Sequence, residues 1–178
     1  MDHVLLRRST WPSPFGPAQL LAGPDGLLRL EFRPAWPDWW DVWVSRWLGP
    51  LARIVDADAG PPDAIAAQAI DELDAYAAGR RVAFDTPLDL RGTPFQQAVW
   101  AAVRAVPYGQ TSSYGQIAAG IGRPSAVRAT GAANGANPLS IFVPCHRIIG
   151  ADGSLRDYGG GLAIKAALLD LERGHAPV

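Results

Sequence analysis

The sequence predicts an α+β protein with an antiparallel meander and helices in its first half and a mostly helical second half. Three observations carry this. Short apolar runs alternate with Gly/Pro turn chemistry up to Phe32; two segments between Asp38 and Gly79 repeat at helical spacing; and capped helical segments follow one another from Thr93 onward. At 178 residues, the chain is long enough for one ordinary domain or two small ones, expected at 1–85 and 86–178.

Val4-Leu5-Leu6 and Leu27-Leu28-Arg29-Leu30-Glu31-Phe32 read as strands, with turns at Ser13-Pro14-Phe15-Gly16-Pro17 and Gly23-Pro24-Asp25-Gly26. Trp39, Trp40, Trp43 and Trp47, with Val44 and Leu48, recur at helical spacing between a possible cap at Asp38 and Gly49-Pro50, and are expected to bury one helical face. A partner for the segment 36–47 stays open as the alternative. The next helix is capped by Asp63, buries Ile65, Ala69, Ile70, Leu73 and Tyr76, and leaves Asp71, Glu72 and Asp74 to solvent. Arg80 to Leu90 form an extended linker.

Thr93-Pro94-Phe95-Gln96 is a capping box with proline at the first helical position, and Ser113-Tyr114-Gly115-Gln116 repeats the box. The helix opened by Ser113 stops near Gly120-Ile121-Gly122, and a third starts around Pro124-Ser125, carrying Arg128 among small residues. This is helix-turn-helix spacing, and tight helix packing explains it as well as DNA contact does. Leu139 to Val143 reads as a buried strand delivering Cys145, and a final helix runs from about Leu162 to Arg173.

Charge divides the chain. Residues 1–90 hold eight basic and thirteen acidic side chains and residues 91–178 hold eight and four, with Arg91, Arg104, Arg123, Arg128 and Arg147 in a stretch free of carboxylates. Such a segment suits a polyanion or an ordinary solvated face. The single cysteine excludes an internal disulfide and a multi-thiolate zinc site, and the absence of a signal-like or membrane-spanning apolar run predicts a cytoplasmic protein with no membrane contact.

That cysteine lies in Val143-Pro144-Cys145-His146-Arg147, beside one of three histidines. Neighbours in extended chain point apart, so a thiol–imidazole link here needs a bridging water. The imidazole also needs an orienting acceptor, and Glu172 stands out because the last turn of a helix disfavours an acid. A screened surface glutamate is the alternative. Tyr158-Gly159-Gly160-Gly161 can close over a flat ligand or serve as a connector.

Pro144-Cys145-His146-Arg147 with Ile148-Ile149-Gly150 closely resembles the active-site signature of the O6-alkylguanine-DNA alkyltransferases. Phe95-Gln96-Gln97-Ala98-Val99-Trp100, Pro107-Tyr108-Gly109, Ser113-Tyr114-Gly115-Gln116-Ile117-Ala118, Arg128-Ala129, Asn134, Asn137-Pro138 and Tyr158-Gly159-Gly160-Gly161 follow in family order. The resemblance implies an N-terminal three-stranded antiparallel sheet with helices and a C-terminal domain bearing the helix-turn-helix and the active site. It implies a suicide repair protein that flips O6-alkylguanine from duplex DNA through the minor groove and moves the alkyl group irreversibly to Cys145. The catalytic set it implies is Cys145, His146, Glu172, Tyr114 and Lys165. Arg128, Ser113, Ser125, Ala126, Ala129 and Thr130 would meet DNA, and Tyr158, Gly159, Val143 and Asn137 would line the base pocket. No metal or cofactor is implied. The expected species is a monomer, with cooperative loading on DNA left open. Some relatives carry serine at the position of Gly159, which removes a side-chain donor to O6 here. The rivals are a non-catalytic lesion binder, a helix-turn-helix regulator and a cysteine hydrolase.

Overall fold

The structure, a computed structural model, describes residues 4–56, 63–80 and 82–175; Arg81 of the expected linker lies outside the described residues. Two compact units follow one another, 1–91 and 92–178.

In the first unit β1 (Val4–Ser13), β2 (Gly16–Gly23) and β3 (Gly26–Phe32) form the expected antiparallel meander. The 86–90 segment covers the outer side of β3: Leu27 N donates to Pro87 O at 2.8 Å and Asp89 N to Leu27 O at 2.9 Å. The approach is so close that a Cβ on Gly26 would lie 2.8 Å from Pro87 O. Only glycine fits there, and the covering protects one sheet edge from stray pairing.

The sheet has four strands where the resemblance implied three. β4 (Ala52–Asp56) adds in parallel to β1, giving the order β3-β2-β1-β4. Parallel neighbours need a long crossover, and the helix α1 (Trp39–Leu48) lies within it. A five-residue strand with a single apolar pair, Ile54-Val55, carries too little periodicity to be seen beforehand.

Helices cover both faces. Trp40 and Val44 of α1 pack on Leu6, Leu21, Leu28 and Ala52. Trp11, an odd number of residues from Leu6, points to the opposite face, where its Nε1 donates to Asp74 of α2 (Ala64–Ala77) at 2.7 Å. Burial on both sides explains why six consecutive residues of β2 are buried.

The tryptophan helix departs from expectation. Trp40 and Val44 are buried, whereas Trp39 is 41% exposed and Trp43 and Trp47 are half-buried. A ten-residue helix lying on a sheet buries one i, i+4 pair fully, and its flanking indoles pack against cations instead. The Arg29 guanidinium lies 4.6, 5.3 and 4.8 Å from the rings of Trp39, Trp40 and Trp43.

Glu72 is a second correction. It is buried, not solvated, and accepts from Gln68 Nε2 at 3.0 Å, Asp85 N at 3.1 Å, Thr86 N at 3.2 Å and Thr86 Oγ1 at 2.8 Å. Burial pushes its pKa up, but the donors of Gln68, Thr86 and Asp85 outweigh that and hold the carboxyl below its ordinary range. Glu72 therefore ties the linker to α2. Glu72→Ala leaves buried donors unmatched and is expected to cost about 2 kcal/mol, read as a lower midpoint in denaturant titration.

In the second unit both capping boxes form, opening α3 (Pro94–Arg104) and α4 (Tyr114–Gly120). Val99, Trp100 and Val103 are buried, and Trp100 Nε1 donates to Ala133 O at 2.8 Å, locking α3 to α5 (Val127–Gly135). α5 starts later than expected because 121–126 form the turn that joins it to α4. β5 (Ser112–Ser113) pairs in parallel with β6 (Ile148–Ile149), and α6 (Leu162–Gly174) closes the described chain.

Candidate active site

The segment 139–143 is buried, as expected, but it is not a strand. Val143 N returns to Leu139 O at 2.8 Å, and Ile141 sits at φ 71°. Such a backbone is uncommon for a β-branched residue and needs support from its surroundings. Asn137 supplies part of that support: its Nδ2 donates to Val143 O at 2.8 Å and its Oδ1 accepts from Leu139 N at 3.0 Å. Pro144, at φ −78° and ψ 63°, is the centre of an inverse γ-turn closed by Cys145 N to Val143 O at 2.7 Å. The chain then enters a single 3-10 turn, Cys145–Arg147, instead of continuing extended.

Cys145 is 6% exposed. Burial pushes its thiol pKa up, opposed by the Asn137 side chain and the Lys165 cation, so the resting group is the thiol. His146 and Glu172 are fully buried, and His146 Nε2 lies 2.8 Å from Glu172 Oε1. Glu172 thus has the internal partner that its place in the last turn of α6 suggested. Burial pushes its carboxyl up, but hydrogen bonds from His146 and Arg147 reverse this and bring the pKa to about 2. With Nε2 committed to the carboxylate, any proton exchange with the thiol runs through Nδ1.

Lys165 is buried, and its Nζ donates to Ile148 O at 2.7 Å and Arg156 O at 2.9 Å, holding β6 and the following loop against α6. Burial lowers its pKa while Cys145 and Asp157 raise it. Tyr114 is half-buried at the start of α4, with its ring over α5: a Cβ on Gly131 would lie 3.8 Å from it. Burial raises the Tyr114 pKa, as do Cys145 and Asp157, while the side chain of Asn134 lowers it. The Tyr158 ring stands edge-on to His146, with centroids 6.4 Å apart.

The structure therefore brings Cys145, His146, Glu172, Lys165, Tyr158, Asn137 and Val143 together, with Tyr114 alongside. Gly159 is exposed, and a Cβ there meets nothing within 4 Å. Gly159→Ser is accordingly expected to leave the denaturation midpoint unchanged, within about 0.5 kcal/mol. Among the described residues, no group of three His, Cys, Asp or Glu side chains could hold a metal ion.

On α5 and its C-cap residue Ala136, the exposed residues Arg128, Ala129, Ala132, Gly135 and Ala136 form a smooth strip with one long cation. Ser125 is exposed beside it and Ala126 half-buried, while Ser113 spends its hydroxyl on the cap of α4. Thr130 differs from expectation: it is fully buried, since it lies on the inward side of a helix packed against α3 and α4. Val127, 41% exposed next to Arg128, belongs to the strip and was missed because an apolar residue there looks like core.

Arg147 was also missed. It is buried on Glu172, while Arg91 pairs with Asp89; only Arg104, Arg123 and Arg128 of the expected basic stretch are exposed. A second buried partner for an acid as isolated as Glu172 was the available signal.

The family model described as 6-O-methylguanine DNA methyltransferase, ribonuclease-like domain, matches residues 6–90, and that of the DNA binding domain matches residues 94–174. The methylated-DNA–protein-cysteine methyltransferase of Methanosarcina barkeri is 40% identical over 164 residues, 92% of this chain and 94% of that protein. The chain belongs to the O6-methylguanine-DNA methyltransferase family. The Mycobacterium tuberculosis methylated-DNA–protein-cysteine methyltransferase is 60% identical over 109 residues, 61% of this chain and 66% of that one. The crystal structure of the M. tuberculosis O6-methylguanine methyltransferase superposes with a TM-score of 0.80 at 42% identity, covering 97% of this chain and 96% of that one. The M. tuberculosis protein in complex with DNA gives 0.75, at 42% identity over 98% and 96% of the two chains. Membership in this methyltransferase family covers both units, and no helix among the described residues is long and apolar enough to cross a membrane.

Proposed function

We propose that this family member repairs O6-alkylguanine in double-stranded DNA by moving the alkyl group to its own Cys145, once per molecule. The observation that carries this is a buried thiol adjoining an imidazole held at 2.8 Å by a buried carboxylate. In the reaction the thiol proton passes through a water to His146 Nδ1. The sulfur then attacks the alkyl carbon in line, forming S–C as C–O6 breaks, and the bond pair goes to the guanine. Tyr114 supplies a proton to N3 as charge develops there, and Lys165 supports that step as a nearby cation. A thioether has no easy return to the thiolate, so the protein is consumed. Nucleophile and acid are both side chains, and neither a metal nor a cofactor is needed.

The first unit, 1–91, which keeps the 86–90 segment that the sequence placed in the second, serves as scaffold, and the second, 92–178, binds DNA and reacts. The helix-turn-helix of α4 and α5 enters the minor groove of DNA as a monomer. Small residues let α5 approach closely, and Arg128 fills the space of the extrahelical nucleotide, offsetting part of an unstacking cost of a few kcal/mol. The base rests against Tyr158, Gly159 and Val143, with Asn137 bracing that wall.

The test is incubation with duplex DNA containing one O6-methylguanine, followed by intact mass measurement. The expected result is one methyl added, mapped to Cys145. Tight lesion binding with no adduct would favour the non-catalytic rival.

A further inference from the structure

Arg147 has no part in the proton path drawn above, yet it is bound into that path by every polar end of its side chain. Nε donates to Glu172 Oε2 at 2.9 Å, Nη2 to Glu172 Oε1 at 2.9 Å and Nη1 to Val106 O at 2.6 Å. Its guanidinium carbon lies 5.6 Å from the ring centroid of Tyr108, and Gly109 N adds a bond to Glu172 Oε2 at 3.1 Å. A planar fork gripping both carboxylate oxygens fixes the plane of the carboxylate, and so the direction in which Oε1 meets His146 Nε2.

The second consequence is electrostatic. A bare buried carboxylate would draw a proton onto the imidazole, whereas here His146 faces an ion pair. The other groups around it are Cys145 on its own turn, Lys165 from α6 and Tyr158 from the preceding loop. Burial pushes the His146 pKa down, Glu172 pulls it up, and Arg147 and Lys165 push it down again, leaving it below its ordinary value.

We propose that Arg147 is a positioning residue of the alkyl-transfer site: it pins both oxygens of Glu172 and offsets their charge, so that His146 stands as the neutral imidazole that takes the thiol proton. This rests on the alkyl-transfer reading of the site and adds a residue to it. A buried Arg–Glu pair can also serve only as a brace for the fold, and the two roles differ in what they do to His146.

The experiment titrates the His146 imidazole by NMR in the full chain and measures single-turnover transfer from O6-methylguanine DNA across pH 5 to 9. Arg147→Gln keeps donors to the carboxylate but loses the charge. Its His146 midpoint is expected to rise by about one pH unit, and the acid limb of the rate profile to move with it. Arg147→Lys keeps the charge and loses the fork, so its midpoint should stay near wild type while the plateau rate falls about tenfold. A less stable Arg147→Gln with an unmoved midpoint would reduce Arg147 to a brace and overturn the inference. If Arg147→Gln does not fold, Arg147→Lys decides: an unchanged plateau overturns it, and a lowered plateau at a constant midpoint supports it. A wild-type chain with no adduct on Cys145 sinks the alkyl-transfer reading instead, and the His146 midpoints then decide the part played by Arg147.

Discussion

Cys145→Ser is expected to abolish alkyl transfer, lowering the rate by more than about a thousandfold, while leaving the fold and lesion binding intact. A hydroxyl is smaller than a thiol and of the same shape, so the surroundings of Cys145, which is 6% exposed, accommodate the exchange. The chemistry does not. A hydroxyl is a far weaker acid than a thiol, and a neutral imidazole cannot generate enough alkoxide to attack an alkyl carbon. The measurement pairs intact mass after incubation with lesion DNA, expected to show no methyl adduct, with a DNA-binding titration, expected to be unchanged. A methyl adduct on the serine variant would remove Cys145 from its role.

Glu172→Gln should be the most damaging single change to stability in the second unit. The carboxylate accepts from His146, both sides of the Arg147 fork and Gly109 N, and the amide leaves the guanidinium buried without its counter-charge. Breaking a buried pair from one side costs about 3–5 kcal/mol. The pH dependence gives an independent check. The folded pKa of about 2 lies below the ordinary 4.5, so between these values the unfolded chain binds the proton that the folded one refuses. The stabilisation from ionised Glu172 is therefore complete above about pH 4.5 and is lost as pH falls towards 2, a span of about 3 kcal/mol. Denaturant titrations at several acidic pH values should show this loss in the wild type and a much flatter curve in Glu172→Gln. Transfer should slow about a hundredfold, since an unoriented imidazole is a poor base.

Local features were the legible ones. The capping boxes at Thr93/Gln96 and Ser113/Gln116 need only residues three apart, and both form as read. The cap at Asp63 likewise accepts from Ala66 N. Glu172 stood out because its position conflicts with the helix dipole, and a conflict of that kind points to a partner elsewhere. What sequence could not show was set by distant contacts. Glu72 looks like any acid on a polar helix face until Asp85 and Thr86 come back to it. Arg147 looks like surface charge until α6 brings Glu172 against it. The apolar run from Leu139 to Val143 has no periodicity to separate a strand from a buried turn, and the left-handed Ile141 is a conformation that its residue type argues against.

The inverse γ-turn at Pro144 sends the sulfur inward, among Asn137, Ser140 and Lys165, where burial keeps it protonated. In the proposed reaction a single event spends the protein, and this burial is then a safeguard. A thiolate attacks peroxide and stray alkylating agents, and an enclosed thiol presents little thiolate to them. Under that proposal the reagent stays unspent until a base arrives in the pocket, so selectivity for damaged DNA would begin with how poorly the resting cysteine reacts with everything else.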